Sequence, residues 1–285
     1  MQKTLKNNIN YTGIGLHSGC NVNVTIMPAP ENTGIVFKRT DLPAEPEVKA
    51  LYSNVCDTRN CTCIKSGDAV VSTIEHIMAA LFAYEIDNAV IKIDNMEFPI
   101  MDGSAKMFCD LFEKAGIVEQ NAPQKYLKIT QKIEFSDDKG NIASLEPVEG
   151  EKLEIGCCID FPSKIVGHQE FCADVDRLTF AAQIAPARTF CEKYQVDYLR
   201  SIGLIKGGSL ENAIVLDGET ILNPEGFRLD KECVRHKVLD AVGDLYTSGY
   251  RIIGKFNGFH TGHFHNNELL KKLFGNSASY VVLEK

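Results

Sequence analysis

The sequence predicts an α+β protein made of two related halves, each a small sheet packed with helices, meeting at a pseudo-twofold. Two observations carry that reading. Ile74-Glu-His-Ile-Met-Ala-Ala-Leu81, a turn and Ala89-Val-Ile-Lys-Ile93 echo Val234-Arg-His-Lys-Val-Leu-Asp-Ala241, a turn ending at Gly249 and Ile252-Ile-Gly-Lys-Phe256. Each copy is helix, short turn, strand, with a histidine near the helix start. Between the copies, Asn121-Ala-Pro-Gln124 is polar and proline-bearing and reads as a linker, dividing the chain into 1–121 and 125–285.

Taken in order, the first half opens on Thr12-Gly-Ile-Gly-Leu-His-Ser-Gly19, a glycine-rich turn that contains His17. Val22–Ile26 alternates as a half-buried strand and Ile35–Arg39 reads as the next. Ser72–Tyr84 has the pattern of a helix. Ser72 and Glu75 match a capping box, which gives Glu75 an ordinary structural task. Beyond that cap the helix is apolar on nearly every side, so it is expected to be buried. His76 then needs a partner, either a local acceptor or a metal. Ala89–Asp94 is a strand, and Phe98–Ala105 is a loop opening a short helix over Phe108–Lys114.

In the second half, Tyr126–Phe135, Asn141–Leu145 and Lys152–Phe161 read as strands, Leu178–Ala185 as a short helix and Ala213–Leu216 as a strand. The last long helix is Val234–Tyr246. Val238, Leu239, Val242, Leu245 and Tyr246 share one arc suited to a core. His236, Lys237, Asp240 and Asp244 gather on another. An imidazole and a carboxylate four residues apart sit about 6 Å apart at their β-carbons, close enough to share one ion. A solvated face with an incidental pair is the alternative. If the two histidine helices face one another, His76, His236 and Asp240 converge.

Composition sets the outer bounds. With 285 residues, 44% hydrophobic and 24% charged, the chain is long enough for two domains of ordinary globular make-up. A net charge of −8 argues against a general nucleic-acid or acidic-membrane surface. No apolar run reaches the length of a membrane span, and Met-Gln-Lys-Thr-Leu-Lys-Asn-Asn at the start lacks a signal-peptide core, so a cytoplasmic protein is expected. The ten cysteines show no regular framework and read as reduced thiols. Among them Cys56, Cys61 and Cys63 form one cluster, without zinc-ribbon spacing.

Two histidines and a carboxylate are the ligand set of a catalytic zinc with an open position for water, and they suit ferrous iron as well. Such an ion lowers the pKa of water toward neutrality and polarises a carbonyl. Glu75, beside His76, is placed to take the water's proton. Gly258–Asn267 gathers His260, His263 and His265 in a glycine-bearing loop, suited to a general acid or to a surface turn. Asp244, one turn beyond Asp240, is placed to keep such an imidazole protonated. Thr189, in Ala187-Arg-Thr-Phe190, reads as an oxyanion donor or a helix N-cap.

Six motifs together resemble the UDP-3-O-acyl-N-acetylglucosamine deacetylase family, zinc hydrolases of bacterial lipid A synthesis. They are Gly13–Gly19, Thr73–Leu81, Phe98–Ala105, Ala187–Phe190, Arg235–Asp244 and Gly262-His263, in family order over essentially the whole chain. The resemblance implies two similar α/β sandwich domains with the active site between them. It implies zinc on His76, His236 and Asp240, Glu75 as general base and His263 as general acid. It further implies that Asp244 orients His263, Thr189 steadies the oxyanion and Lys237 helps hold the substrate. Asp160 and Phe161 match positions at the uridine end. Val196–Val215, within an insert near 191–216, matches the passage for the fatty acyl chain, with Phe190, Gly208 and Leu210 expected to face the substrate. The implied substrate is a nucleotide-sugar lipid precursor, handled by a monomer without membrane insertion. Three stretches depart from the family pattern. Cys191-Glu192-Lys193 stands where glycine and apolar residues are common, at the mouth of the acyl passage. His265 holds a usually apolar position, and His260 stands where a cationic side chain is common.

Overall fold

Alternation builds the first sheet. In the strand Asn21–Pro28, Val22, Val24 and Ile26 are buried while Asn21 and Asn23 face solvent, the period of two that a one-faced strand requires. The computed structural model, which describes residues 1–285, places this strand second in a five-stranded sheet. The order is Ile9–Ile14, Asn21–Pro28, Ala89–Ile93, Ile35–Arg39, Glu47–Lys49. Only the Ile35–Arg39 and Ala89–Ile93 pair runs parallel. Helix α1 (Glu75–Ala83) lies on the crossover between those two strands, as a parallel pair needs. Helix α2 (Lys106–Ala115) leads into Ile117–Glu119, which pairs antiparallel with Lys3–Leu5 and closes the first half.

The second sheet has seven strands and is organised on Arg251–Phe259. One edge of that strand pairs antiparallel with Ile142–Glu146. The same strand pairs parallel with Lys125–Ile129 over its first residues and with Leu153–Asp160 over the rest. Helix α3 (Arg177–Thr179) runs into a π-turn over Phe180–Ile184, α4 (Lys193–Ser201) stands in the insert, and α5 (Glu232–Tyr246) and α6 (His263–Phe274) flank the central strand. No helix is long and apolar enough to cross a membrane. The ten cysteines are all free thiols.

The centre of the molecule is the crossing of α1 and α5. Every residue of α1 is buried, and in α5 only Arg235 and Lys237 are not. The polar arc of α5 is therefore no solvated face: α1 covers it. Gly243 makes this close crossing possible, because a β-carbon there would stand 2.0 Å from the Glu75 carbonyl oxygen. One apolar core runs continuously through both halves, from Val24 and Phe37 through Met78 and Leu239 to Phe256.

Three local expectations are overturned. Ser72 caps nothing, because it is drawn into a β-bridge with Glu97; α1 begins at Glu75 behind Ile74, and the Glu75 carboxylate is released from capping. Tyr126–Phe135 is two strands, Lys125–Ile129 and Ile133–Ser136, separated where Thr130 hydrogen-bonds the Ala278 and Ser279 carbonyls. Most of Leu178–Ala185 is a π-turn rather than an α-helix. The stretch Asn121–Gln124 has neither helix nor strand, bends at Asn121 and Ala122, and is tied down. Gln2 donates to the Ala122 carbonyl, Gln124 and Lys285 exchange backbone bonds, and the Gln124 amide reaches Asp87.

Candidate active site

His236 lies one turn into α5, where its Nδ1 is 3.0 Å from the Ala187 carbonyl oxygen. A carbonyl only accepts, so Nδ1 carries the proton and Nε2 presents a lone pair. That lone pair points at Asp240 Oδ1, 3.3 Å away, and His76 Nε2 approaches the same oxygen at 3.6 Å. The two imidazoles meet edge to face, with ring centroids 5.0 Å apart. Lone pairs crowded in a buried place repel unless a cation sits between them. On His236 an added proton is disfavoured, since burial pulls its value down to about 3. Tetrahedral zinc, with bonds of about 2.0–2.1 Å, sets its ligand atoms roughly 3.4 Å apart, close to the spacing seen here. The donor set fits a divalent metal.

Of the remaining polar atoms on these three residues, His236 Nδ1 and Asp240 Oδ2 are partnered, while His76 Nδ1 is buried without a hydrogen-bond partner. Lys237 Nζ is 2.8 Å from Asp240 Oδ2, which leaves Oδ1 for the cation. Burial works against the Asp240 charge, but the imidazole of His236 and the Lys237 ammonium hold the carboxyl well below its ordinary value. Burial likewise disfavours the Lys237 ammonium, and Asp240 more than restores it.

Two further groups share this pocket. Glu75 is buried next to His76, and burial raises its carboxyl above the usual value. Its Oε2 accepts the Thr62 backbone N–H at 2.9 Å. His263 opens α6, and its Nδ1 is 2.8 Å from Asp244 Oδ2. Burial opposes the imidazolium, but the Asp244 charge and hydrogen bond prevail and raise His263 to about 10. Asp244 also accepts from the Thr62 hydroxyl at 2.6 Å and from the Asn266 amide at 2.8 Å. One threonine thus holds both Glu75 and the carboxylate of Asp244 behind His263.

Thr189 caps no helix. It sits half-buried just before the strand Phe190–Glu192, with its N–H on the Gly103 carbonyl and its carbonyl on Ile214 N–H, both at 2.8 Å. Farther out, Phe161 packs on Phe190 with ring centroids 5.2 Å apart. Asp160, exposed at the end of its strand, lies between His168 Nδ1 at 2.8 Å and His260 Nε2 at 2.7 Å. His260 therefore faces a carboxylate. His265 turns away from this pocket, bonding Asp137 at 3.0 Å. Gly208 and Leu210 lie in the loop after α4, a loop joined to the Gly13–Gly19 turn by hydrogen bonds from Lys206 and Gly207 to the carbonyls of His17 and Leu16. Tyr194, Tyr198 and Ile202 are exposed along α4, and Leu210 beyond it. The departure at Cys191-Glu192-Lys193 has a local cause. Glu192 starts α4 through a reciprocal cap with Gln195, and Lys193 pairs with Asp217.

The sequence profile of the LpxC family, described as UDP-3-O-acyl N-acetylglycosamine deacetylase, matches residues 2–275. The chain belongs to this family. Several UDP-3-O-acyl-N-acetylglucosamine deacetylases are similar to it over nearly their full length. The one from Teredinibacter turnerae is 44% identical over 274 residues, covering 95% of this chain and 89% of the relative. That from Acidithiobacillus ferrooxidans is 47% identical over 272 residues, with the same two shares, 95% and 89%. That from Pasteurella multocida is 45% identical over 283 residues, covering 98% and 92%.

Two residues of this deacetylase-family site escape a reading of the sequence. Thr62 is masked by its cysteine neighbours, and its double role comes only from tertiary contacts. Arg188 is wholly buried beneath the site. Its Nε is 2.9 Å from Glu232 Oε1, its Nη2 is 2.6 Å from the Gly226 carbonyl, and Nη1 pairs with Glu225. It fastens Ala187, whose carbonyl sets the His236 tautomer, to the start of α5. An arginine between Ala187 and Thr189 inside a family motif is the signal that could have found it.

Proposed function

We propose that this chain is a metal-dependent amidase that removes the N-acetyl group of UDP-3-O-acyl-N-acetylglucosamine in lipid A biosynthesis, working as a monomer. The observation that carries the reading is the convergence of His76 Nε2, His236 Nε2 and Asp240 Oδ1 beside Glu75 and His263, complete within one chain. His76, His236 and Asp240 hold the metal, which we take to be zinc, though ferrous iron fits the same donors. When bound, it supplies Lewis acidity to the acetyl carbonyl and makes water more acidic.

The chain's own groups do the rest. Glu75, steadied by Thr62 at one oxygen, uses the other to accept a proton from the attacking water. Water oxygen bonds to the carbonyl carbon and the carbon–nitrogen bond breaks. His263, held protonated by Asp244, gives its proton to the departing nitrogen, so acetate and a free amine leave. Thr189 steadies the negative charge that develops on the carbonyl oxygen. Lys237 holds the substrate beside Asp240, Asp160 and Phe161 receive the uridine end, and Phe190, Gly208 and Leu210 border the acyl chain. The exposed apolar residues of α4 support that last assignment, since an isolated apolar surface invites a lipid chain. The halves 1–121 and 125–285 act as two sandwich domains that each contribute one histidine helix.

The test is deacetylation of UDP-3-O-acyl-N-acetylglucosamine by metal-stripped protein, with zinc or ferrous iron added back, alongside Glu75→Gln. Restoration by about one equivalent of metal, with Glu75→Gln binding that metal yet turning over at least about a hundredfold more slowly, is expected. Turnover without metal, or full turnover by Glu75→Gln, refutes the reading.

A further inference from the structure

We propose a second metal site, for a divalent ion of the zinc class, formed by Cys158, Asp160 and His168 at the exposed end of the second sheet and sharing no ligand with the buried centre. The strands Leu153–Asp160 and His168–Asp174 run antiparallel, with Asp160 opposite His168 and Cys158 opposite Glu170. Residues two apart on a strand share a face, so these four side chains form one patch. A sulfur, a carboxylate oxygen and an imidazole nitrogen from Cys158, Asp160 and His168 all lie within 4.8 Å of one another. Cys158 Sγ is 4.0 Å and Asp160 Oδ1 is 2.8 Å from His168 Nδ1. Around a tetrahedral zinc, sulfur and nitrogen ligands stand about 3.6 Å apart and nitrogen and oxygen about 3.4 Å apart. Closing the first gap and opening the second takes shifts of about half an ångström in exposed side chains.

The supporting contacts are those of a ligand set rather than of scattered surface groups. His168 Nε2 is 3.2 Å from Glu170 Oε1, the carboxylate-to-imidazole contact that orients a metal-bound histidine and leaves Nδ1 for the ion. His260 Nε2 occupies Asp160 Oδ2 at 2.7 Å and leaves Oδ1 facing Cys158 and His168. His260 holds that place from a left-handed backbone, φ 53°, with its ring stacked 4.0 Å from Phe259. Thiolate, imidazole and carboxylate together favour zinc-class ions over magnesium or calcium. With His168 58% and Asp160 47% exposed, a fourth position is open to water. On binding, the Cys158 thiol releases its proton to solvent as the sulfur bonds the ion. Since Asp160 is also assigned to the uridine end, an ion here sits where the nucleotide would lie.

The experiment is a cobalt(II) titration of the full chain followed by absorption spectroscopy, with no substrate present, so its outcome is independent of the deacetylase reading. The buried centre has no thiolate; the second site does. The expected result is a second equivalent of cobalt that brings a near-ultraviolet thiolate-to-cobalt charge-transfer band. Cys158→Ser abolishes that band and leaves uptake of the first equivalent unchanged, which also reports an intact fold. His168→Asn weakens the second equivalent at least about tenfold. Uptake of a single equivalent without the band, or a band that survives in Cys158→Ser, overturns the proposal.

Discussion

Replacing Gly243 by alanine sets two physical effects against each other. Helix propensity alone favours Ala by about 1 kcal/mol in a helix interior. Packing opposes it, because the new β-carbon would stand 2.0 Å from the Glu75 carbonyl oxygen and 3.1 Å from Ala79 N, where ordinary contact begins near 3.4 Å. The obstructing atoms are backbone, so no rotamer change relieves them, and α5 must retreat from α1 by roughly 1 Å. Overpacking of this kind costs about 1–3 kcal/mol, so a net loss of about 0–2 kcal/mol remains. The separation also has a specific chemical effect. His236 and Asp240 travel together on α5 and keep their 3.3 Å spacing, whereas His76 on α1 starts 3.6 Å from Asp240 and recedes. Gly243→Ala is therefore expected to lower the melting temperature modestly and weaken zinc binding at least about tenfold, measured by competition with a chromophoric chelator. Zinc affinity within twofold of wild type, with equal or higher melting, would refute the claim that this glycine sets the distance between the two ligand helices.

Three more outcomes follow from contacts around the site. Thr62→Val removes one of three donors to Asp244 but keeps the backbone bond to Glu75, so turnover should fall roughly tenfold, the effect of a hydrogen bond of about 1–1.5 kcal/mol, while metal content is unchanged. Asp244→Asn strips the charge that lifts His263 to about 10 and leaves burial, which acts downward, so the alkaline limb of kcat/KM should move to lower pH. The same sign governs stability: wild type gains from this pair fully below His263's ordinary value of 6.5 and loses the gain as pH rises through about 10, a loss the variant should not show. Arg188→Met leaves Glu232 buried and unpaired and should cost about 3–5 kcal/mol by chemical denaturation; Arg188→Lys, lacking the fork that reaches Glu232, Glu225 and Gly226 together, should recover only part of it.

What the sequence discloses and what it hides separate along a physical line. The two histidine helices, their repeated helix-turn-strand setting and the i, i+4 pairing of His236 with Asp240 are local properties, and local periodicity reveals them. Whether the polar arc of α5 meets water or another helix depends on α1, far away in the chain, so the sequence leaves both readings open. The capping box at Ser72 shows a local signal that loses to tertiary structure, since a bridge to Glu97 takes the residue and frees Glu75. Thr62 shows the opposite: no local signal marks it, yet it joins Glu75, on the first histidine helix, to Asp244, on the second. Glu75 and the Asp244–His263 pair are thus coupled through one small residue outside both helices. Since the Thr62 N–H and hydroxyl bind different carboxylates, Thr62→Ser should keep both contacts and near-normal turnover where Thr62→Val does not. A loss in Thr62→Ser together with near-normal turnover in Thr62→Val would show that the methyl group's packing, and not the hydroxyl bridge, is what this position contributes.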